Sequence, residues 1–144
     1  MSENESARAE QIESGRDEDP EASVELARRI AAIADEKLGT EIVVIDLRDY
    51  VDYTDYLVVV TARNERMAKS IHDEVHMRMK RDEGRLPRRA EGLDESRWIL
   101  LDYLGCVLHV FVPETRELYR LDRLWGEAPV VELELEGPPE PAGT

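Results

Sequence analysis

Side chains able to hold a metal, act as a nucleophile or move a proton are present, but they do not converge on a reaction. His72 and His76 stand four residues apart, so a helix would put both rings on one face, the spacing of a two-histidine metal grip. Between them lie Asp73-Glu74-Val75, which breaks the order a zinc protease needs. No third ligand joins them, so a solvated helix face is the expectation. His109 lies in an apolar run two residues before Phe111, the setting of a satisfied strand histidine more than of a general base. Cys106 is the single cysteine, which excludes an internal disulfide and a cysteine-based zinc site; its apolar neighbours mark a small buried hydrophobe. Asp46 and Asp102 close separate strands and Asp55 opens another, so no carboxylate pair is placed to hold metal and triphosphate for nucleotidyl transfer. No Gly-x-Gly-x-x-Gly, phosphate-binding loop or Gly-x-Ser-x-Gly occurs. We therefore expect a domain that binds: no catalytic residue, no cofactor and no metal.

The elements that would position these residues centre on Ser96–Val112, which reads as two strands joined by a tight turn at Leu104-Gly105. Trp98, Leu100 and Asp102 share one face of the first arm, and Ile99, Leu101 and Tyr103 the other. Both faces of the second arm, Cys106–Val112, are mostly apolar, so the hairpin should lie centrally and be covered on both sides. Trp98, Asp102 and His109 are the odd members, because a polar group in an apolar strand must be paired or lie at the rim. Trp98 can be an interface residue or can pack in the core of the sheet.

Before the hairpin, Ser23 can cap a helix with apolar positions from Val24 to Leu38, ended by Gly39 as a left-handed residue. Glu41–Asp46 and Thr54–Ala62 read as strands separated by too short a gap for a crossover helix, hence antiparallel. Asn64 can cap a helix with a Met67, Ile71, Val75, Met79 stripe, closed by Gly84. Arg78, Lys80, Arg81, Arg85, Arg88 and Arg89 form the only basic cluster, either a solvated helix end or a phosphate contact. Residues 87–92 can form a short edge strand. After the hairpin, Glu114–Trp125 reads as one helix with an inner stripe of Leu118, Leu121, Leu124 and Trp125. Val130–Glu136 alternates like an edge strand or belongs to the tail. Residues 1–21 hold eight acids against two arginines, and residues 126–144 hold five acids and no base, so most of the net charge of −14 lies in the ends. The expected organisation is a disordered acidic tail (1–21), one α/β (α+β) domain (22–126) with a mixed sheet of about five strands flanked by helices, and an acidic, Pro-rich tail (127–144). No apolar run approaches the ~20 residues needed to span a bilayer. The polar, acidic start is unlike a signal or transit peptide, so a cytoplasmic protein is expected.

Four separated motifs carry a resemblance. Thr54-Asp55-Tyr56-Leu57-Val58-Val59 with Thr61-Ala62, Glu91-Gly92 ahead of Ser96-x-Trp98-Ile99-Leu100-Leu101-Asp102-Tyr103, Val107-Leu108-His109-Val110-Phe111, and Arg116-x-x-Tyr119-x-Leu121-x-x-Leu124-Trp125 resemble, in order, the ribosomal silencing factor family, RsfS or Iojap. Leu104-Gly105 departs from the family's Gly-Asp at the hairpin turn. The resemblance implies a nucleotidyltransferase-like fold without the active site. It implies binding to the large ribosomal subunit through the fourteenth protein of its series, steric blocking of an intersubunit bridge and of small-subunit joining, and repression of translation when nutrients are short. It also implies a homodimer when free. Trp98 matches the family's interface tryptophan; Asp102, Tyr103, Tyr119 and Glu91 are further candidates for the ribosomal-protein contact, and Arg85, Arg88 and Arg89 for adjacent ribosomal RNA. Two other readings stay open: an enzyme on the same fold, which nucleotide with magnesium would protect against heating, and a dimeric module with a non-ribosomal partner, which would not co-sediment with ribosomes.

Overall fold

A computed structural model describes residues 20–135, so of the expected tails (1–21 and 127–144) residues 1–19 and 136–144 lie outside the described residues, while residues 20–21 and 127–135 are described. The elements in chain order are α1 (Pro20–Glu36), β1 (Thr40–Asp46), β2 (Tyr56–Thr61), α2 (Glu65–Glu83), β3 (Arg89–Glu91), β4 (Trp98–Asp102), β5 (Cys106–Phe111), α3 (Pro113–Tyr119) and α4 (Leu121–Leu124). The five strands form one sheet in the order β1-β2-β5-β4-β3. β1 and β2 pair antiparallel, as their short connection requires. β2 and β5 pair parallel, which puts α2, β3 and β4 in the crossover. The hairpin β4–β5 is antiparallel, and β3 adds antiparallel to β4 as the far edge.

Strand alternation divides the apolar residues between two cores. Val44, Val58, Val60, Ile99, Leu101, Leu108 and Val110 face α1 and α2, where Ala27, Ile30, Ala34, Ile71, Val75 and Met79 cover them. The methionine-containing stripe of α2 is therefore core, and Asn64 and Gly84 cap that helix as expected. On the opposite face, Ile45, Leu57, Val59, Val107 and Phe111 form a smaller cluster, closed by Leu121, Trp125 and Ala128. Every residue of β5 is buried, so the hairpin's second arm is central.

Several local expectations change. α1 begins at Pro20, so Ser23 lies inside its first turn and is buried. Leu38, at φ +66°, takes the left-handed position expected of Gly39. Gly39 is needed for space instead: a Cβ there would lie 2.6 Å from Val60 Cγ1 and 2.9 Å from the Ala34 carbonyl oxygen. The single helix expected over Glu114–Trp125 is broken at Arg120, at φ +43°, into α3 and α4. The inner stripe is kept only in half: Leu121 and Trp125 pack against the second core, while Leu118 is 76% and Leu124 68% exposed. Buried Arg116 faces the sheet from α3, with Nη1 donating to the Glu41 carbonyl at 2.5 Å and Thr61 Oγ1 at 2.9 Å. These bonds offset the cost of burying a guanidinium and rotate Leu118 outward. Beyond α4, Val130 makes one antiparallel bridge to Ile45, flanked by Asp46 N–H donating to the Pro129 carbonyl and Val131 N–H to that of Val44. Val131 and Leu133 then lie against the first core.

Candidate functional site: an aromatic clamp at the start of β4

The loop 92–97 sets where β4 begins. Gly92 has φ +83°, and a Cβ there would lie 1.9 Å from the carbonyl oxygen of Trp98. Only glycine permits this approach. Ser96 closes the loop, its N–H donating to the Gly92 carbonyl and its Oγ to that of Leu93. Arg97 accepts the Val112 N–H at its carbonyl, fixing the end of β5 and the entry to α3. Pro113 starts α3, where its missing N–H costs no helical bond.

These constraints place Trp98 against two aromatic rings. Its centroid is 4.9 Å from that of Phe111 on β5 and 4.6 Å from that of Tyr119 at the end of α3. The ring of His109 is 5.8 Å away, and the indole Nε1–H donates to His109 Nδ1 at 2.8 Å. An indole N–H can only donate, so Nδ1 accepts and the neutral imidazole carries its proton on Nε2. Burial pushes His109 down to about 4, against the opposing charge of Asp102. At neutral pH the ring is uncharged and can accept. His109 is thus a satisfied strand histidine, and its partner is the tryptophan.

Trp98 is half-buried. Its outer side, with Leu118 and half-exposed Tyr119, opens on a shallow groove bordered by Gly92, Asp94, Glu95, Arg97 and Thr115. Glu91, also exposed, precedes the groove on β3. Asp94 and Glu95 give one rim negative charge, while Arg97 lies 3.9 Å from Glu65. An aromatic floor with an acidic rim has the chemistry to receive a basic partner.

The other candidates stand elsewhere. Asp102 is 2% exposed, accepting from Arg88 Nη2 at 2.6 Å and, through Oδ1, from the Leu104 N–H at 2.9 Å. The carboxylate therefore supports the Leu104-Gly105 turn, where Leu104 itself holds φ +73°. Tyr103 is buried among the helix-side core, and desolvation pushes its hydroxyl up to about 12. Neither side chain lines the groove. Arg88 and Arg89 flank the buried carboxylate, with Arg89 also 3.5 Å from Glu91. Arg85 follows the α2 cap and makes interactions of its own. Within the basic cluster, Arg78 pairs with Glu36 and Glu74, and Arg81 with Asp82. His72 is buried rather than solvated, with Nδ1 2.9 Å from Asp73. Among the described residues no set of three or more His, Cys, Asp or Glu side chains is arranged to hold a metal. No helix among them is long and apolar enough to cross a membrane.

Sequence reasoning did not assign a role to Phe111, His109 or Leu118 at this site. The signal for the first two was the turn position. A hairpin closing at Leu104-Gly105 sets Trp98 opposite Phe111 and Leu100 opposite His109, so Trp98 and His109 are diagonal neighbours on one face. Leu118 carried no such signal, because the burial of Arg116, two residues earlier on α3, is what turns it outward.

Residues 20–143 match the family described as ribosomal silencing factor during starvation. Ribosomal silencing factor RsfS of Halalkalibacterium halodurans is 30% identical over 110 residues, which are 76% of this chain and 93% of that one. RsfS of Bacillus subtilis is 31% identical over 104 residues, 72% of this chain and 87% of that one. A solved structure from Bacillus halodurans aligns with a TM-score of 0.63 at 27% identity, covering 76% of this chain and 96% of that one. The match runs through every described element, from α1 past α4, and the motifs that build the aromatic clamp lie inside it: this chain belongs to the ribosomal silencing factor family, RsfS.

Proposed function

We propose that this chain represses translation in the cytoplasm by binding the large ribosomal subunit through its fourteenth protein, covering an intersubunit bridge and blocking small-subunit joining when nutrients are short. The observation that carries the reading is the half-buried Trp98, packed against Phe111 and Tyr119 beside an acidic rim. Tryptophan and tyrosine in a preformed setting are the side chains that dominate protein interfaces, and Asp94, Glu95 and Glu91 suit a basic partner. Asp102 and Tyr103 act from beneath, holding the turn and the helix-side core. No reaction is needed. A partner contact of roughly 800 Å² on this side is a standard interface, and occupying it is enough to exclude another surface.

The test is sedimentation of purified subunits through sucrose as magnesium is raised. The chain should migrate with the large subunit and deplete the joined peak. Trp98→Ala should weaken the association by about thirty-fold, about 2 kcal/mol, while remaining folded. If the wild type stays at the top of the gradient and joining proceeds, the proposal fails.

Two partner contacts extend it. Arg85, Arg88 and Arg89 are proposed to lie near ribosomal RNA. Arg89, with 55% of its side chain exposed, is the one to change, since Arg88 holds the buried Asp102. Arg89→Gln should reduce the salt slope of binding by about one; an unchanged slope removes RNA contact. The free chain is proposed to be a homodimer, measurable by sedimentation equilibrium.

A further inference from the structure

We propose that His109 is a positioning residue for Trp98, fixing the indole across the groove through the Nε1–H to Nδ1 hydrogen bond before any partner arrives. This inference rests on the reading of Trp98 as the docking anchor. The contacts with Phe111 and Tyr119 are tilted ring packing, with 32° and 44° between the planes, which does not by itself select one orientation of the indole. The bond to His109, at 2.8 Å, is direction-specific. Turning the indole over would withdraw the donor and leave Nδ1 buried without it, which a buried acceptor penalises.

The base of this lock is rigid. His109 lies in the middle of β5, with Val59 of β2 paired on one side and Leu100 of β4 on the other, and is 8% exposed. A side chain on a strand paired on both sides is a better reference point than one on a loop. Trp98, at the first position of β4, is paired on its β5 side with Phe111 and lies beyond the pairing with β3, which covers only Leu100–Asp102. The energetic consequence is pre-organisation: an anchor already held in its bound orientation loses less freedom on docking.

The experiment combines binding with a readout in the free chain. The indole N–H resonance of Trp98 is assigned by its disappearance in Trp98→Phe, and its exchange with solvent is measured in the wild type, His109→Phe and His109→Asn. Phenylalanine fills the ring but accepts nothing; asparagine keeps an acceptor near the Nδ1 position. His109→Phe should make the indole N–H exchange faster and weaken large-subunit binding by about five- to ten-fold. His109→Asn should recover most of both. In a Trp98→Ala background, His109→Phe should cost nothing further, because the group it positions is gone. Unchanged exchange in His109→Phe overturns the lock, and so does an undiminished loss of binding in the Trp98→Ala background. Wild-type binding by Trp98→Ala would instead overturn the docking reading, while the exchange measurement would still decide the lock.

Discussion

Gly92→Ala should destabilise the fold by about 3 kcal/mol and weaken large-subunit binding together. Two costs add at this position. The backbone holds φ +83°, where an L-residue loses about 1–2 kcal/mol relative to glycine. The new methyl carbon would also lie 1.9 Å from the carbonyl oxygen of Trp98 and 3.0 Å from its carbonyl carbon, so backbone must move, and forced repacking of this kind costs about 1–3 kcal/mol. The segment that yields is the first residue of β4, which carries the aromatic anchor. A surface glycine in an open loop would show neither effect; Gly84, with nothing within 4 Å of an added Cβ, is the internal comparison for the steric part. Urea unfolding reads the stability loss and sedimentation with the large subunit reads the binding. Near-wild-type stability for Gly92→Ala would mean that the 92–97 loop does not constrain Trp98.

How far the chain could be read in advance depends on whether the information was local. The hairpin was legible because alternation and the single Leu104-Gly105 turn set its register within seventeen residues. The antiparallel β1–β2 pair was legible from the short gap between them. The parallel pairing of β2 with β5 left no such trace, since it joins Val58 to Leu108 across fifty residues, and only tertiary packing decides it. The C-terminal helix was misread for a related reason. Leucine spacing from 118 to 124 fits a helix locally, but burial of Arg116 against Glu41 and Thr61, with the break at Arg120, overrides it. At the candidate site, the oddness of Trp98, Asp102 and His109 within apolar strands was visible, and polar-group physics correctly demanded partners. Which partner each finds was not visible. Asp102 meets Arg88, the residue just before the edge strand, and Trp98 meets His109 within the hairpin. The first pairing makes Asp102 a support of the turn; the second makes His109 part of the anchor.

Stability should fall by about 3 kcal/mol as pH drops from 6.5 towards 4, through His109 alone. Its unfolded imidazole binds a proton near 6.5, whereas burial holds the native ring at about 4. Between those values the unfolded chain carries the extra proton, so acid favours unfolding. The contribution is complete above about 6.5 and is lost progressively down to about 4; raising the pH beyond 7 adds nothing. The charge of Asp102 moderates the effect, since it favours the protonated ring. The cause is geometric as well as dielectric: a protonated Nδ1 could no longer accept the indole N–H, so charging the ring sets two donors against each other at 2.8 Å. Urea unfolding at pH 7, 6, 5 and 4.5 measures the slope. Wild type and His109→Phe differ in this one ionisable group, so the difference between them isolates this ring. That difference should shift in favour of the variant by about 1.4 kcal/mol for each pH unit through the middle of the window. A constant difference across the range would mean that His109 is charged in the native state or solvated, and the tryptophan bond would lose its acceptor.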